Sequence, residues 1–206
     1  MSTNNNDESK AKRTRLSPEA RRQQLLDVAI TVTAKNGLGR ATHAEIARLA
    51  GVAISTVFFY FPTVDNLNNS VIDEIVKVIS SISLHQPINK VNKIYFSNIL
   101  NVYEQNLEQF IKSNYQLATI FLEWSNAINS PLWPRFLAFR ATYLEFTKKI
   151  LSESKLIGEL RDDIDIDVSA YTVSSMLLML FKMKFYNDSD VAIREIFLYL
   201  RNHLLK

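Results

Sequence analysis

A short, lightly charged stretch, Ile54-Ser55-Thr56-Val57-Phe58-Phe59-Tyr60, concentrates hydroxyl and aromatic groups. Hydroxyls donate and accept hydrogen bonds, so a rod of this kind suits the floor of a DNA major groove, where base edges and phosphates are in reach. Bond-breaking chemistry has no comparable footing. The three His stand apart at 43, 85 and 203, Cys is absent, and no Gly-rich phosphate loop occurs. No nucleophile–base pair is suggested by the spacing, which argues against an enzyme. His43 falls at a helix start and reads as readily as a surface residue as a ligand. The acidic run Asp162 to Asp167, DDIDID, lacks a nearby His or glycine turn. Its carboxylates suit a helix N-terminus better than a metal site. No metal and no cofactor are expected.

The elements that must position the rod are legible around it. Apolar or small residues recur at Ile46, Ala47, Ala50, Val52, Val57 and Tyr60, with Gly51 between two short helical patterns. Steeply crossing helices need a small residue at closest approach, which Ala47 supplies. They also need a left-handed turn residue, which Gly51 supplies without a Cβ penalty. Thr42 and Glu45 have capping-box spacing, which starts the first helix near 43 and ends it near 50. Pro62 stops the second helix, about 54 to 60, because the residue before a proline is pushed out of the α region. The unit is a helix-turn-helix; an ordinary helix pair in an α-helical core is the alternative. Arg40 and Thr42, at the start of its first helix, are well placed for phosphate.

With only 4 Gly and 5 Pro among 206 residues, turns are few, which favours helices joined by short loops. The absence of Cys excludes a disulfide framework and points to an intracellular, cytoplasmic protein. The N-terminus, MSTNNNDESKAKRTR, has no apolar core and does not read as a signal peptide. The strongly apolar stretch Met176 to Phe181 ends at Lys182, too short for a bilayer, so no membrane partner is expected. Through Pro62 there are 9 Lys+Arg against 5 Asp+Glu, a balance of +4; the remainder holds 15 against 16, a balance of −1. The positive excess thus accompanies the helix-turn-helix, as an electrostatic footprint for phosphates should.

Residues 1–16 form a polar arm expected to be disordered alone. Ser17-Pro18 reads as N-cap and first helical position. The helix that follows buries Leu25, Leu26, Ala29, Ile30 and Val32 or Thr33 and ends at Gly37. Thr63 caps a long fourth helix whose inner stripe is Leu67, Val71, Ile75, Val78, Ile79 and Ile82. His85 to Asn89, with Pro87, breaks the pattern as a loop or hinge. Amphipathic periods recur at about 91–112, 114–128, 132–155, 167–186 and 190–204, so the fold class is all-α with about nine helices. The domain division is an arm at 1–16, a helix-turn-helix domain at 17–63, and a helical regulatory and dimerisation domain at 64–206. The last two helices are apolar on more than one face. A two-fold homodimer through 167–186 and 190–204 would cover them; complete burial within one subunit is the alternative.

The three-helix head, long fourth helix and helical body resemble the TetR family of transcription regulators. The segments RTRLSPEARRQQLLDVAI, GLGRATHAEIARLAGVAISTVFFYFPT and FLEWSNAINSPLWPRF are similar to its quorum-sensing master-regulator branch, the LuxR/HapR/SmcR type. The resemblance implies a homodimer on double-stranded DNA at imperfect palindromes, activating at some promoters and repressing at others. It implies DNA contacts by Ser55, Thr56, Phe59 and Tyr60, with Tyr60 matching a tyrosine that reaches phosphate, and inward packing of Val57, Phe58 and Phe61. The branch usually carries Asn where Phe59 stands, so base preference there differs. Phe59 would touch a thymine methyl or else pack. Lys12, Arg13 and Arg15 match a basic arm that enters the minor groove; a solvated tail is the alternative.

By the same resemblance a small-molecule effector would occupy a cavity lined by Ile79, Ile82, Tyr103, Phe121, Phe136, Arg140, Tyr143, Leu144, Thr147 and Leu177. The branch has amides where this chain shows Arg140, Tyr143 and Leu144. Arg140 hints at an anionic group, against the duller reading of a pair with Glu123 or Glu145. An effector acts only by preferring one head-to-head spacing over another. A simple ligand-released repressor and, more remotely, a helical protein-interaction scaffold are the rival functions.

Overall fold

The computed structural model describes residues 16–84 and 95–206. Among them nine α-helices follow one another: α1 Pro18–Asn36, α2 His43–Ala50, α3 Ile54–Tyr60, α4 Val64–Leu84, α5 Phe96–Ser113, α6 Tyr115–Trp124, α7 Trp133–Leu156, α8 Ile166–Phe185 and α9 Asp190–Leu204. The described residues hold no strand, only an isolated antiparallel bridge between Leu160 and Leu205. The chain is all-α. The expected loop with His85 and Pro87, the first residues of the expected fifth helix, and the arm with Lys12, Arg13 and Arg15 lie outside the described residues.

Local signals set the head. Ser17 accepts the Ala20 N–H at 3.2 Å, and Pro18 opens α1 where its missing N–H costs nothing. Leu25, Leu26, Ala29, Ile30, Val32 and Thr33 all turn inward. Thr42 accepts the Glu45 N–H at 3.2 Å, but only half of the capping box forms. Glu45 Oε2 instead accepts from Asn36 Nδ2 at 2.8 Å, tying α2 to the end of α1. Gly51 sits at φ 64, ψ 38. The Val52 N–H reaches Ala47 O and the Gly51 N–H reaches Arg48 O, the paired bonds of a Schellman motif. Ala47 and Val57 are buried where α2 meets α3. Thr63 caps α4 through the Asn66 N–H at 3.1 Å.

The body packs α4 across α5 and α6, with α7, α8 and α9 laid against α5. Head and body share a core, because α1 lies on both α4 and α6. Leu67, Val71, Ile72, Ile75, Ile79 and Ile82 form the buried stripe of α4, and Val78 is only half-buried. The sixth helix stops at Trp124, short of the expected 128. Ser125 Oγ and Asn126 Nδ2 both donate to Leu122 O and so take a carbonyl that a further turn would need. Trp124 is buried beside Phe136, with Nε1–H donated to Leu132 O at 3.0 Å.

The acidic run is absorbed locally. Asp165 caps α8 at the Val168 N–H, Asp162 pairs with Lys206, Asp163 with Arg161, and Asp167 with Lys148. The Arg161 guanidinium holds the Asp163 carboxyl below its usual range, mainly through their hydrogen bond. Taken whole, α8 is long and apolar enough to cross a bilayer, contrary to the expectation from Met176–Phe181 alone. It nevertheless lies against α7, α9 and α5, and begins and ends in charge at Asp165, Asp167, Lys182 and Lys184.

Candidate nucleic-acid interface

The helix-turn-helix presents one face of α3 outward. Val57 and Phe61 are fully buried and hold the rod to the head, while Ser55 is exposed and Thr56 half-buried. Phe59 is 77% exposed, so it is not a packing residue of this subunit; its ring stands perpendicular to that of Tyr60, with centroids 5.0 Å apart. Tyr60 packs its ring partly against the core. Phe58 corrects the expectation: it is 45% exposed and stacks on His43 at 4.3 Å rather than packing inward. With one residue per 100° on a short helix, Val57 and Phe61 claim the inner face, and Phe58 is left at its border.

His43 is likewise not a surface residue. It is buried, and Nε2 lies 2.7 Å from Phe61 O. That carbonyl is freed by the end of α3, so the imidazole secures the C-terminus of the rod against the start of α2. Nothing in the local sequence distinguishes it from a solvated His; the partner is 18 residues away.

Arg40 and Thr42 are exposed at the start of α2. Thr42 uses its oxygen as a cap acceptor and keeps its O–H to donate outward. The first N–H groups of α2 and the Arg40 guanidinium therefore make a positive edge beside the rod. Leu49 and Ile54 are also exposed there and were not singled out by the sequence. Arg22, behind the rod, is committed to Ser70 Oγ at 3.0 Å and stands over the Phe61 ring.

A second feature lies within the body. Helices α4 to α8 enclose about 100 Å3 of free space. Ile79, Ile82, Tyr103, Phe121, Phe136, Arg140, Tyr143, Leu144 and Leu177 line it, together with Phe139, Tyr171, Ser174, Ser175, Leu178 and Phe181. Thr147 does not, contrary to expectation. Its hydroxyl donates to Tyr143 O at 2.9 Å and accepts from Ser174, which turns it into the α7–α8 contact. The Tyr103 hydroxyl donates to Leu177 O at 3.0 Å, and burial pushes its pKa well above the ordinary phenol value. Phe139 continues the turn-spaced set of Phe136, Arg140 and Tyr143 and was legible in principle. The α8 residues other than Leu177 were not, because that helix is apolar on several faces.

The cavity and the head meet through α6. Phe121 lines the cavity, and two residues on Glu123 Oε2 accepts the Leu38 N–H at 2.9 Å, in the turn between α1 and α2. Gly37 lets that carboxylate approach: its φ is 101, and a Cβ there would stand 3.1 Å from Glu123 Oε1. Glu123 is therefore not a partner of Arg140, and Glu145 faces Lys148 at 3.5 Å.

A glycine-turned helix pair with an exposed rod, fused to a helical body that holds a cavity, is the architecture of a one-component regulator. Residues 25–70 match the model of the bacterial regulatory proteins of the tetR family. The chain belongs to the TetR family and is a transcriptional regulator of that type, not an enzyme. Regulators of this family bind DNA as dimers. In particular, the chain is 33% identical over 153 residues to the HTH-type transcriptional regulator LuxR of Vibrio harveyi, covering 74% of this chain and 73% of that protein. Its fold is similar to that of a TetR-like transcriptional regulator from Rhodococcus sp., with a TM-score of 0.68, 16% identity and coverage of 91% of this chain and 98% of that one. It is also similar to NalD, the secondary repressor of a multidrug efflux pump in Pseudomonas aeruginosa, with a TM-score of 0.65, 14% identity and coverage of 91% and 97%.

Proposed function

We propose that this protein is a cytoplasmic quorum-sensing-type master regulator that binds a pseudo-palindromic operator as a homodimer. The observation that carries the reading is the identity with LuxR, which reaches beyond the head into the body. In this reading residues 17–63 bind DNA and residues 64–206 regulate and dimerise. Ser55, Thr56, Phe59 and Tyr60 enter the major groove, Arg40 and Thr42 hold phosphate, and Lys12, Arg13 and Arg15 grip the adjacent minor groove.

The homodimer forms through α8 and α9. Both helices keep large apolar residues outside, among them Val168, 64% exposed, and Val191, 59% exposed. Met179 and Leu198 are exposed as well. A second copy offers the same faces in return, as a two-fold interface requires. This arrangement accounts for a helix as apolar as α8 in a regulator that stays in water.

Selection of bound fragments from genomic DNA tests the function, followed by footprinting at two salt concentrations. The expected result is a two-fold-symmetric site whose half-sites repeat at about 10 base pairs, or a multiple, matching rods about 34 Å apart. Leu198→Glu with Val191→Glu should give a monomer in sedimentation and lose the operator. A monomeric native protein, or one that ignores duplexes even in dilute salt, refutes the reading.

A further inference from the structure

Arg140 stands exposed at the rim of the body cavity. Among the described residues it has no ion pair and no side-chain hydrogen bond. The carboxylates expected as its partners are engaged elsewhere: Glu123 with the Leu38 N–H and Glu145 with Lys148. A guanidinium is charged at every accessible pH, so a positive charge persists at the opening of an apolar chamber.

The chamber beneath it is mostly apolar, with the hydroxyl-bearing Tyr143, Tyr171, Ser174 and Ser175 contributed by α7 and α8. Ile79, Phe121, Leu177 and Phe181 are buried on its floor, and the edge-on contact of Phe121 with Phe181, centroids 5.5 Å apart, props the walls. The Tyr103 proton is already spent on a backbone carbonyl. The ligand that best matches this lining is therefore mainly apolar within and anionic at one end. Its size is bounded as well. An apolar cavity of about 150 Å3 holds benzene, so the roughly 100 Å3 here encloses a group of about four carbons, and a flat ring would extend toward the open rim.

The planar guanidinium fork matches a carboxylate in shape, and its single charge matches a carboxylate in magnitude. A phosphate dianion would leave one charge uncompensated beside an aromatic wall. We infer that the cavity takes a compact apolar monocarboxylate, with its hydrocarbon part on the aromatic floor and its carboxylate paired with Arg140 at the rim. The inference rests on the proposed regulator using this cavity as its effector site.

Calorimetric titration of the full-length dimer tests it, with benzoate, isovalerate, their amides, and acetate as probes. At least one of the two carboxylates should bind once per subunit, roughly tenfold or more tighter than its amide, with acetate weaker still. Arg140→Gln should bring acid and amide level, and Arg140→Glu should turn the preference toward benzylamine. Since Arg140 is exposed and unpartnered among the described residues, both variants should melt with the native protein. Equal binding of acid and amide by the native protein, unchanged preference in Arg140→Gln, or no carboxylate binding by a protein that still holds its selected operator overturns the inference. Carboxylate discrimination in a protein that binds no operator would sink the regulator reading instead and leave the site standing.

Discussion

Phe59→Ala separates a DNA-reading residue from a structural one. A Phe side chain presents about 200 Å2, and Phe59 leaves 77% of its surface in solvent. If the groove covers about half of that exposed area, some 75 Å2 is buried at about 25 cal/mol per Å2, or about 2 kcal/mol. Operator affinity should then fall about 30-fold. Stability should change by less than about 0.5 kcal/mol, because the ring supports nothing beneath it. The slope of affinity against salt should not move, since no phosphate contact is lost. Fluorescence anisotropy with a labelled operator at several salt concentrations reads affinity and slope together, and a thermal melt reads stability. Deoxyuridine in place of thymine at a contacted position removes the methyl group; it should weaken the native protein and leave the variant unaffected. Native affinity in Phe59→Ala, or a large loss of melting temperature, refutes the reasoning.

Arg13→Ala with Arg15→Ala should weaken operator binding and reduce the salt slope by about 1.8, two phosphate charges at 0.9 each; an unchanged slope in the same titration excludes the arm. Gly51→Ala should cost about 1 kcal/mol and lower the melting temperature by a few degrees, with Gly51→Asn milder, because φ 64 is strained for a Cβ although nothing stands within 4 Å of it. Equal melting of Gly51→Ala and native protein would contradict that. Hydrogen bonds from Lys112 and Lys184 hold the Glu108 carboxyl at about 2 against an ordinary 4.5. Because the folded value is depressed, the stabilisation is complete above 4.5 and fades as pH falls toward 2. Urea melts across that range should show Glu108→Gln converging on the native protein; a gap independent of pH would refute the pairing.

Much of the head was legible because its signals are local. A cap at Ser17, Thr42 or Thr63 acts three residues away, and Gly51 and Pro62 act through their own backbone torsions. Such features need no knowledge of the fold. The α4 stripe was legible through its period, and α8 was not, since a helix apolar all round names no inner face. Of the site, Ser55, Arg40 and Thr42 emerged on the surface their spacing implied. Phe58 did not, because whether a ring at the border of a face is covered depends on its neighbour, here His43.

The chain by itself determined an all-α regulator with a helix-turn-helix near its start, because i to i+3 and i to i+4 relations, left-handed turns and proline stops are written into adjacent residues. Tertiary structure alone decided which charges are spent. Glu45 turned from its own cap to Asn36, Glu123 crossed 85 residues to Leu38, Asp167 went to Lys148, and Arg140 was left open at the rim of the chamber. Partnership between distant polar groups depends on distances that only packed helices define, and a string of residues carries no record of them.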